Sequence, residues 1–210
     1  MRFGVDEAGK GPVLGSMFAA AVHCEPSALP DGVGDSKGIK PARREELAAE
    51  IRELATVGVA EIPVERIDDP ETDMNTLTVA AHAEALGEVA ADGQVGTVDA
   101  GDANAGRFGE RVASRVDADV RITAEHQADE SDTVVGAASI VAKVERDAHV
   151  ERLAAEHGEV GSGYPSDPTT RTFLREYVAD YGELPTCART SWSTCDDVLA
   201  AAEQSGLDDF

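Results

Sequence analysis

Arg2-Phe3-Gly4-Val5-Asp6-Glu7-Ala8-Gly9-Lys10-Gly11-Pro12-Val13-Leu14-Gly15 opens the chain, and its reading decides the fold. Phe3 and Val5 alternate with small residues, the pattern of a short strand. Two adjacent carboxylates follow, Asp6 and Glu7, and then glycines and a proline broken by Lys10. Apolar neighbours put the acidic pair at the inner end of a core strand. A buried carboxylate pair is costly unless cations or donors compensate it, and a divalent metal compensates it best. A solvated turn after an edge strand is the plainer alternative.

Working outward, Val13 to Cys24 is apolar and small and reads as a second strand paired to the first. Glu25 to Pro41 is a loop rich in Gly, Pro, Asp and Ser. Pro41 suits a first helical position, and Ala42 to Thr56 has helical spacing. Val57 to Val64 alternates like a strand, and Asn75 to Ala91 is helical, with Leu77, Ala81, Ala85 and Leu86 on one face. Gly96 to Asp99 is a short strand, Ala103 to Arg115 a helix and Val120 to Glu125 a strand. A polar stretch, His126 to Thr133, precedes a long helix from Val134 to His157. Gly158 to Pro168 is a broken loop, Thr170 to Tyr181 a helix, and Ser193 can cap a last helix to Gln204. This α/β alternation, opened by a hairpin-like strand pair, packs naturally as a mixed sheet flanked by helices. The loop Gly182 to Ser191 can set off a small C-terminal helical piece.

The 210 residues carry 41 Asp and Glu against 18 Lys and Arg, a formal net charge of −23. The acid is spread along the chain, so the whole surface is acidic. We read this as adaptation to a high-salt cytoplasm, against the plainer reading of an acidic protein that avoids polyanions. It argues against nonspecific nucleic-acid binding but leaves room for a local metal-lined site. No apolar run can span a bilayer, and Asp6 and Glu7 fall where a signal peptide would need apolar residues. Cys24, Cys187 and Cys195 form no metal-type pair and read as free thiols in a reducing cytoplasm.

Four acids stand out by placement. Asp6 and Glu7 end the first strand, Asp99 ends the strand Gly96 to Val98, and Asp129 follows the strand Val120 to Glu125. Strand ends of an α/β sheet converge where ligands bind. Neighbouring side chains in a strand point to opposite faces, so Asp6 and Glu7 share a site only if the strand bends or ends there, which Ala8-Gly9 permits. Oxygen ligands select hard cations such as Mg²⁺ or Mn²⁺. Taken singly, Asp99 or Asp129 reads sooner as a helix cap or a solvated turn than as a ligand. The glycines after the first strand do not make a dinucleotide-binding turn: the spacing is wrong for G-x-G-x-x-G, and Pro12 removes a backbone donor.

Gly4 to Gly15 resembles the opening signature of the type 2 ribonucleases H, the ribonuclease HII family. Further blocks follow in the family's order: D-S-K at Asp35 to Lys37, V-D-A-G-D-A-N at Val98 to Asn104, and E-H-Q-A-D at Glu125 to Asp129. Then come A-A-S-I-V-A-K-V-E-R-D at Ala137 to Asp147, G-S-G-Y-P-S-D-P-T-T at Gly161 to Thr170, and R-T-S-W at Arg189 to Trp192. The arrangement looks archaeal. The resemblance implies a ribonuclease H-like catalytic domain over residues 1–182 and a C-terminal helical extension over 183–210. It implies a metal-dependent endonuclease acting on RNA–DNA hybrids and on ribonucleotides embedded in DNA, leaving 3′-hydroxyl and 5′-phosphate ends. The family's four metal ligands fall on Asp6, Glu7, Asp99 and Asp129, with Mg²⁺ or Mn²⁺ as cofactor. Its glycine triad falls on Gly9-Lys10-Gly11, its junction-sensing tyrosine on Tyr164, and a phosphate-contacting loop on Ser36 and Lys37. Lys143, Arg146 and Arg189 are further phosphate candidates. Without the resemblance, Tyr164 reads as a loop aromatic packed on the core. The middle of the triad is commonly arginine in this family; lysine keeps the charge and loses the planar fork. A monomer without an obligate protein partner is expected. A noncatalytic hybrid-binding protein on the same fold is the alternative, disfavoured because all four carboxylates are present.

Overall fold

A computed structural model of the chain describes residues 1–33 and 38–208. In chain order the elements are β1 (Arg2–Ala8), β2 (Met17–Cys24), α1 (Pro41–Leu54), β3 (Thr56–Ile62), α2 (Val64–Ile67), α3 (Met74–Gly87) and β4 (Val95–Asp99). These are followed by α4 (Ala105–Ala113), β5 (Arg121–Glu125), α5 (Ala128–Ser131), α6 (Thr133–His157), α7 (Pro168–Tyr181) and α8 (Ser193–Asp208). The described contacts divide the chain into two compact units. The first holds Met1–Lys10, Met17–Ile62 and Thr72–Arg146; the second holds Gly11–Ser16, Pro63–Glu71 and the chain from Asp147 onward.

The first unit is built on a five-stranded sheet of order β3-β2-β1-β4-β5. β1 runs antiparallel to β2, and β2 to β3. β4 and β5 lie parallel to β1 and to each other, so the sheet is mixed and helices flank it, as the alternation predicts. Glycine sets how closely the layers meet. A Cβ on Gly4 would lie 2.4 Å from the backbone nitrogen of Val135, which is why α6 can start directly against β1. A Cβ on Gly58 would lie 2.3 Å from the Ala85 carbonyl of α3. Ala20 and Val22 of β2, Leu47 and Ile51 of α1, and Val134, Ala138 and Val141 of α6 form one buried apolar cluster with Cys24. The start of α6 is fixed electrostatically as well: Asp132 Oδ1 accepts from the Val134 N–H at 2.9 Å and from Arg2 at 2.8 Å.

The second unit has its own core of Val13, Leu14, Leu153, Phe173, Leu174, Val178, Cys195 and Val198. The α7 start shows how sequence sets a turn. Asp167 Oδ1 accepts from the Thr169 N–H at 2.9 Å, and its Oδ2 accepts from the Ser162 N–H at 2.6 Å. Thr170 Oγ1 accepts from Gly163 and donates to the Val160 carbonyl, each at 2.9 Å. Asp68, just past α2, accepts from backbone and hydroxyl of both Thr190 and Ser191 at 2.6–3.0 Å. All three cysteines carry free, buried thiols, and burial pushes those of Cys187 and Cys195 up to about 11.

One expected element is corrected. Val13 and Leu14 do not begin the second strand, which starts at Met17. Gly15 takes φ +78°, a left-handed turn that breaks the extended run, and Leu14 instead bridges Ala188. The last helix is longer than expected, starting at Ser193 and running to Asp208. Among the described residues, no helix is long and apolar enough to cross a membrane.

Candidate active site

Asp6 and Glu7 keep the strand's alternation, and Gly9 turns only after β1 has ended, with φ +89°. Asp6 therefore lies on the α6 side beside Ser139, and Glu7 on the α3 side against His82. Asp99 is the last residue of β4, in register with Glu125 of β5. Its Oδ1 accepts from the Ala128 N–H at 2.7 Å, which ties the end of β4 to the short helix α5 that carries Asp129. The polar stretch expected there is thus partly helical. Gln127 enters it at φ +56°, a left-handed conformation rarely adopted by residues other than glycine. Gly136 makes room for the turn, since a Cβ there would lie 3.1 Å from the Asp129 carbonyl.

The electrostatics link all four acids. Burial raises the Asp6 carboxyl well above its ordinary range, and Glu7 and then Asp99 add to this. Burial also raises Asp99, opposed by the Ala128 N–H and reinforced by Glu7 and Asp129. Glu7 goes the other way. Burial alone would push it up, but the contact with His82 and the charge of Lys10 outweigh that and hold it below its ordinary value. Burial and like charge therefore make ionisation costly at Asp6 and Asp99, a cost that a bound cation would offset. Among the described residues, no three His, Cys, Asp or Glu groups are already disposed to hold an ion, consistent with Asp6 and Glu7 standing on opposite faces. The donor chemistry is nonetheless that of a hard divalent cation: carboxylate oxygens, no thiolate, and an ionisation cost that such a cation would offset.

Lys10 acts as a strut within the first unit. Its Nζ donates to the Gly101 carbonyl, in the loop after Asp99, and lies 3.3 Å from Asn75 Oδ1 at the start of α3. Glu7 Oε1 faces the same loop, 3.1 Å from where a Cβ on Gly101 would stand. Lys143 and Arg146 lie half-buried on α6. In the second unit, Tyr164 is 39% exposed, and a Cβ on Gly11 would touch its ring at 3.7 Å. Arg189 is fully buried there. Its Nε donates to the Gly15 carbonyl at 2.7 Å and its guanidinium stacks on Trp192. That burial makes it a structural cation of this unit rather than a surface phosphate contact. Ser36 and Lys37 lie outside the described residues. His82 was not singled out from the sequence; its one signal there is a lone histidine on an otherwise apolar helix face.

A mixed sheet of this strand order, with acids near the end of β1, at the end of β4 and on α5 beyond β5, defines a ribonuclease H-like nuclease fold. The same architecture occurs in the ribonuclease H2 from Pyrococcus horikoshii OT3, with a TM-score of 0.89 and 34% identity over 96% of this chain and 98% of that one. It occurs also in the ribonuclease HII solved in a PCNA:RNase HII complex from Archaeoglobus fulgidus, with a TM-score of 0.85 and 38% identity over 94% and 96% of the two chains. The family model for ribonuclease HII matches residues 3–195, and the Ribonuclease HII of Haloarcula marismortui is 74% identical over a 211-position match that covers 100% of both chains. The chain belongs to the ribonuclease HII family, a family of endoribonucleases.

Proposed function

We propose that this chain hydrolyses the RNA strand of RNA–DNA hybrids and cuts 5′ of ribonucleotides embedded in duplex DNA, leaving 3′-hydroxyl and 5′-phosphate ends. The observation that carries the reading is the acid cluster of the first unit, with Asp6 and Asp99 both held above their ordinary range by burial and by their acidic neighbours. Asp6, Glu7, Asp99 and Asp129 would hold Mg²⁺ or Mn²⁺. When bound, such an ion activates a water and neutralises charge on the attacking and leaving oxygens. The chain's own residues do the rest. His82 and Ala128 fix one oxygen each of Glu7 and Asp99. Gly9, Lys10 and Gly11 let backbone approach the sugar, whose 2′-hydroxyl marks RNA. Tyr164 packs on the deoxyribose after the ribonucleotide, and Lys143 and Arg146 meet phosphate.

The remaining readings stand with this proposal: a catalytic domain over 1–182, a C-terminal extension over 183–210, and a monomer of the cytoplasm. Because the Archaeoglobus fulgidus relative is solved with PCNA, we also propose PCNA as a non-obligate partner. The net charge of −23 supports a protein adapted to high salt, which binds plain DNA duplex weakly because phosphate-driven affinity falls with salt. The test is cleavage of a duplex carrying one ribonucleotide, with Mg²⁺ or Mn²⁺, beside a continuous hybrid. Strand scission 5′ of the ribonucleotide is expected. Binding without scission under both metals would refute the reading in favour of a noncatalytic hybrid binder.

A further inference from the structure

His82 sits in the middle of α3 and is fully buried, among Leu77, Val79, Ala81, Ala85 and Leu86 of the same helix. A buried imidazole in such company is costly unless its polar atoms are matched. One of them is: Nε2 lies 2.7 Å from Glu7 Oε2. An ionised carboxylate only accepts, so the imidazole must donate through Nε2–H. The other nitrogen, Nδ1, is buried with no hydrogen-bond partner among the described residues. Phe108 of α4 presents its ring at 87° and 5.0 Å from the imidazole centroid, which packs the ring in place. An apolar residue would fill this position at no polar cost. The imidazole therefore serves the carboxylate it touches.

We infer that His82 is a positioning residue: it pins Glu7 Oε2 through Nε2–H and so presets Oε1 for the metal. This rests on the reading of Glu7 as a metal ligand. Glu7 reaches across from the face opposite Asp6, so its carboxylate rotamer decides whether the two can serve one ion. With Oε2 anchored to α3, Oε1 stands toward Gly101, where a bare glycine leaves it room. Groups that orient a metal ligand in this way typically change metal affinity by about 10- to 100-fold when removed.

The experiment measures Mn²⁺ binding by calorimetry without nucleic acid, together with the metal dependence of cleavage. His82→Leu is expected to weaken Mn²⁺ binding by about tenfold or more, and to shift half-maximal activation to higher metal while leaving the substrate KM unchanged. His82→Gln, which places an N–H donor near the Nε2 position, is expected to recover most of that loss. Unchanged Mn²⁺ binding in folded His82→Leu, or a His82→Gln variant no better than it, overturns the inference. A measurement on the unsubstituted protein covers the case in which His82→Leu does not fold. Imidazole ¹⁵N shifts are expected to show a proton on Nε2, and a proton on Nδ1 alone overturns the inference. Asp6→Asn separates the two levels. If it binds Mn²⁺ as the unsubstituted protein does, the metal-ligand reading fails and His82 with it. If it loses binding while His82→Leu does not, only the role of His82 fails.

Discussion

Tyr164 lies against Gly11 with room to spare: a methyl group added to Gly11 would meet ring carbon Cε1 at 3.7 Å, an ordinary contact. Among the described residues, nothing in the second unit therefore requires glycine at that position. If the backbone there is reserved for the substrate's sugar, Gly11→Ala should keep its melting temperature and lose cleavage by about 100-fold, as misplacing a substrate by about 1 Å does. Parallel melting and cleavage curves check this. Tyr164→Ala should lose more on a single embedded ribonucleotide than on a continuous hybrid.

Asp6 is a carboxylate kept where charge is disfavoured. Asp6→Asn keeps the shape and removes the repulsion from Glu7 and Asp99. Cleavage should fall by at least about a thousandfold, while thermal stability holds or rises, the trade expected at a site strained for function. A drop in melting temperature together with retained activity would contradict both halves.

Lys10 donates to the Gly101 carbonyl and approaches Asn75. Lys10→Met keeps the stem and removes these bonds. A hydrogen bond to a charged group contributes about 1.5–3 kcal/mol, so kcat/KM on both hybrid substrates should fall by about tenfold or more. Lys10→Arg should restore the charge but not the geometry. Steady-state kinetics on the two substrates distinguish a strut, which affects both alike, from a junction reader.

Asp68 gives the pH signature of the second unit. Burial alone would raise its carboxyl, but the bonds from Ser191 and then Thr190 outweigh it and hold it below its ordinary value. The folded pKa is depressed, so the stabilisation is present above the unfolded value of about 3.9 and is lost as pH falls through the lower folded pKa. Asp68→Ala should cost about 1–2 kcal/mol at neutral pH, discounted for its partial exposure. The gap from the unsubstituted protein should close in acid. Denaturant melts across that range read it directly.

Salt should stabilise the fold. At a net charge of −23, self-repulsion destabilises the compact state and counter-ions screen it. Melting temperature should climb steadily from dilute buffer into molar KCl. A flat curve would mean the acidic surface has no such role.

Of the four acids, Asp99 alone ends its strand as its sequence position suggests; β1 continues past Asp6 and Glu7 to Ala8, and Asp129 lies on α5 beyond β5. The sheet was legible because short strands alternate with helices. Val13 and Leu14 were misread because an apolar run looks like a strand until Gly15 takes its left-handed turn and Leu14 finds Ala188 far along the chain. The division into two units was not legible at all: it joins Gly11–Ser16 and Pro63–Glu71 to the chain beyond Asp147, and no local pattern announces contacts so distant. His82 was hidden by its neighbours, since the periodicity that marks a buried helix face says nothing of which buried residue holds a carboxylate.

The three thiols offer something beyond packing. Cys24 lies in the core of the first unit, Cys187 and Cys195 in that of the second. Thiolate is the reactive form, and burial suppresses it at all three sites. An alkylating reagent can mark each cysteine only when the structure around it opens. The unaltered chain thus carries its own chemical clock for each core, and mass-resolved labelling rates would tell whether the two units breathe together or on separate timescales.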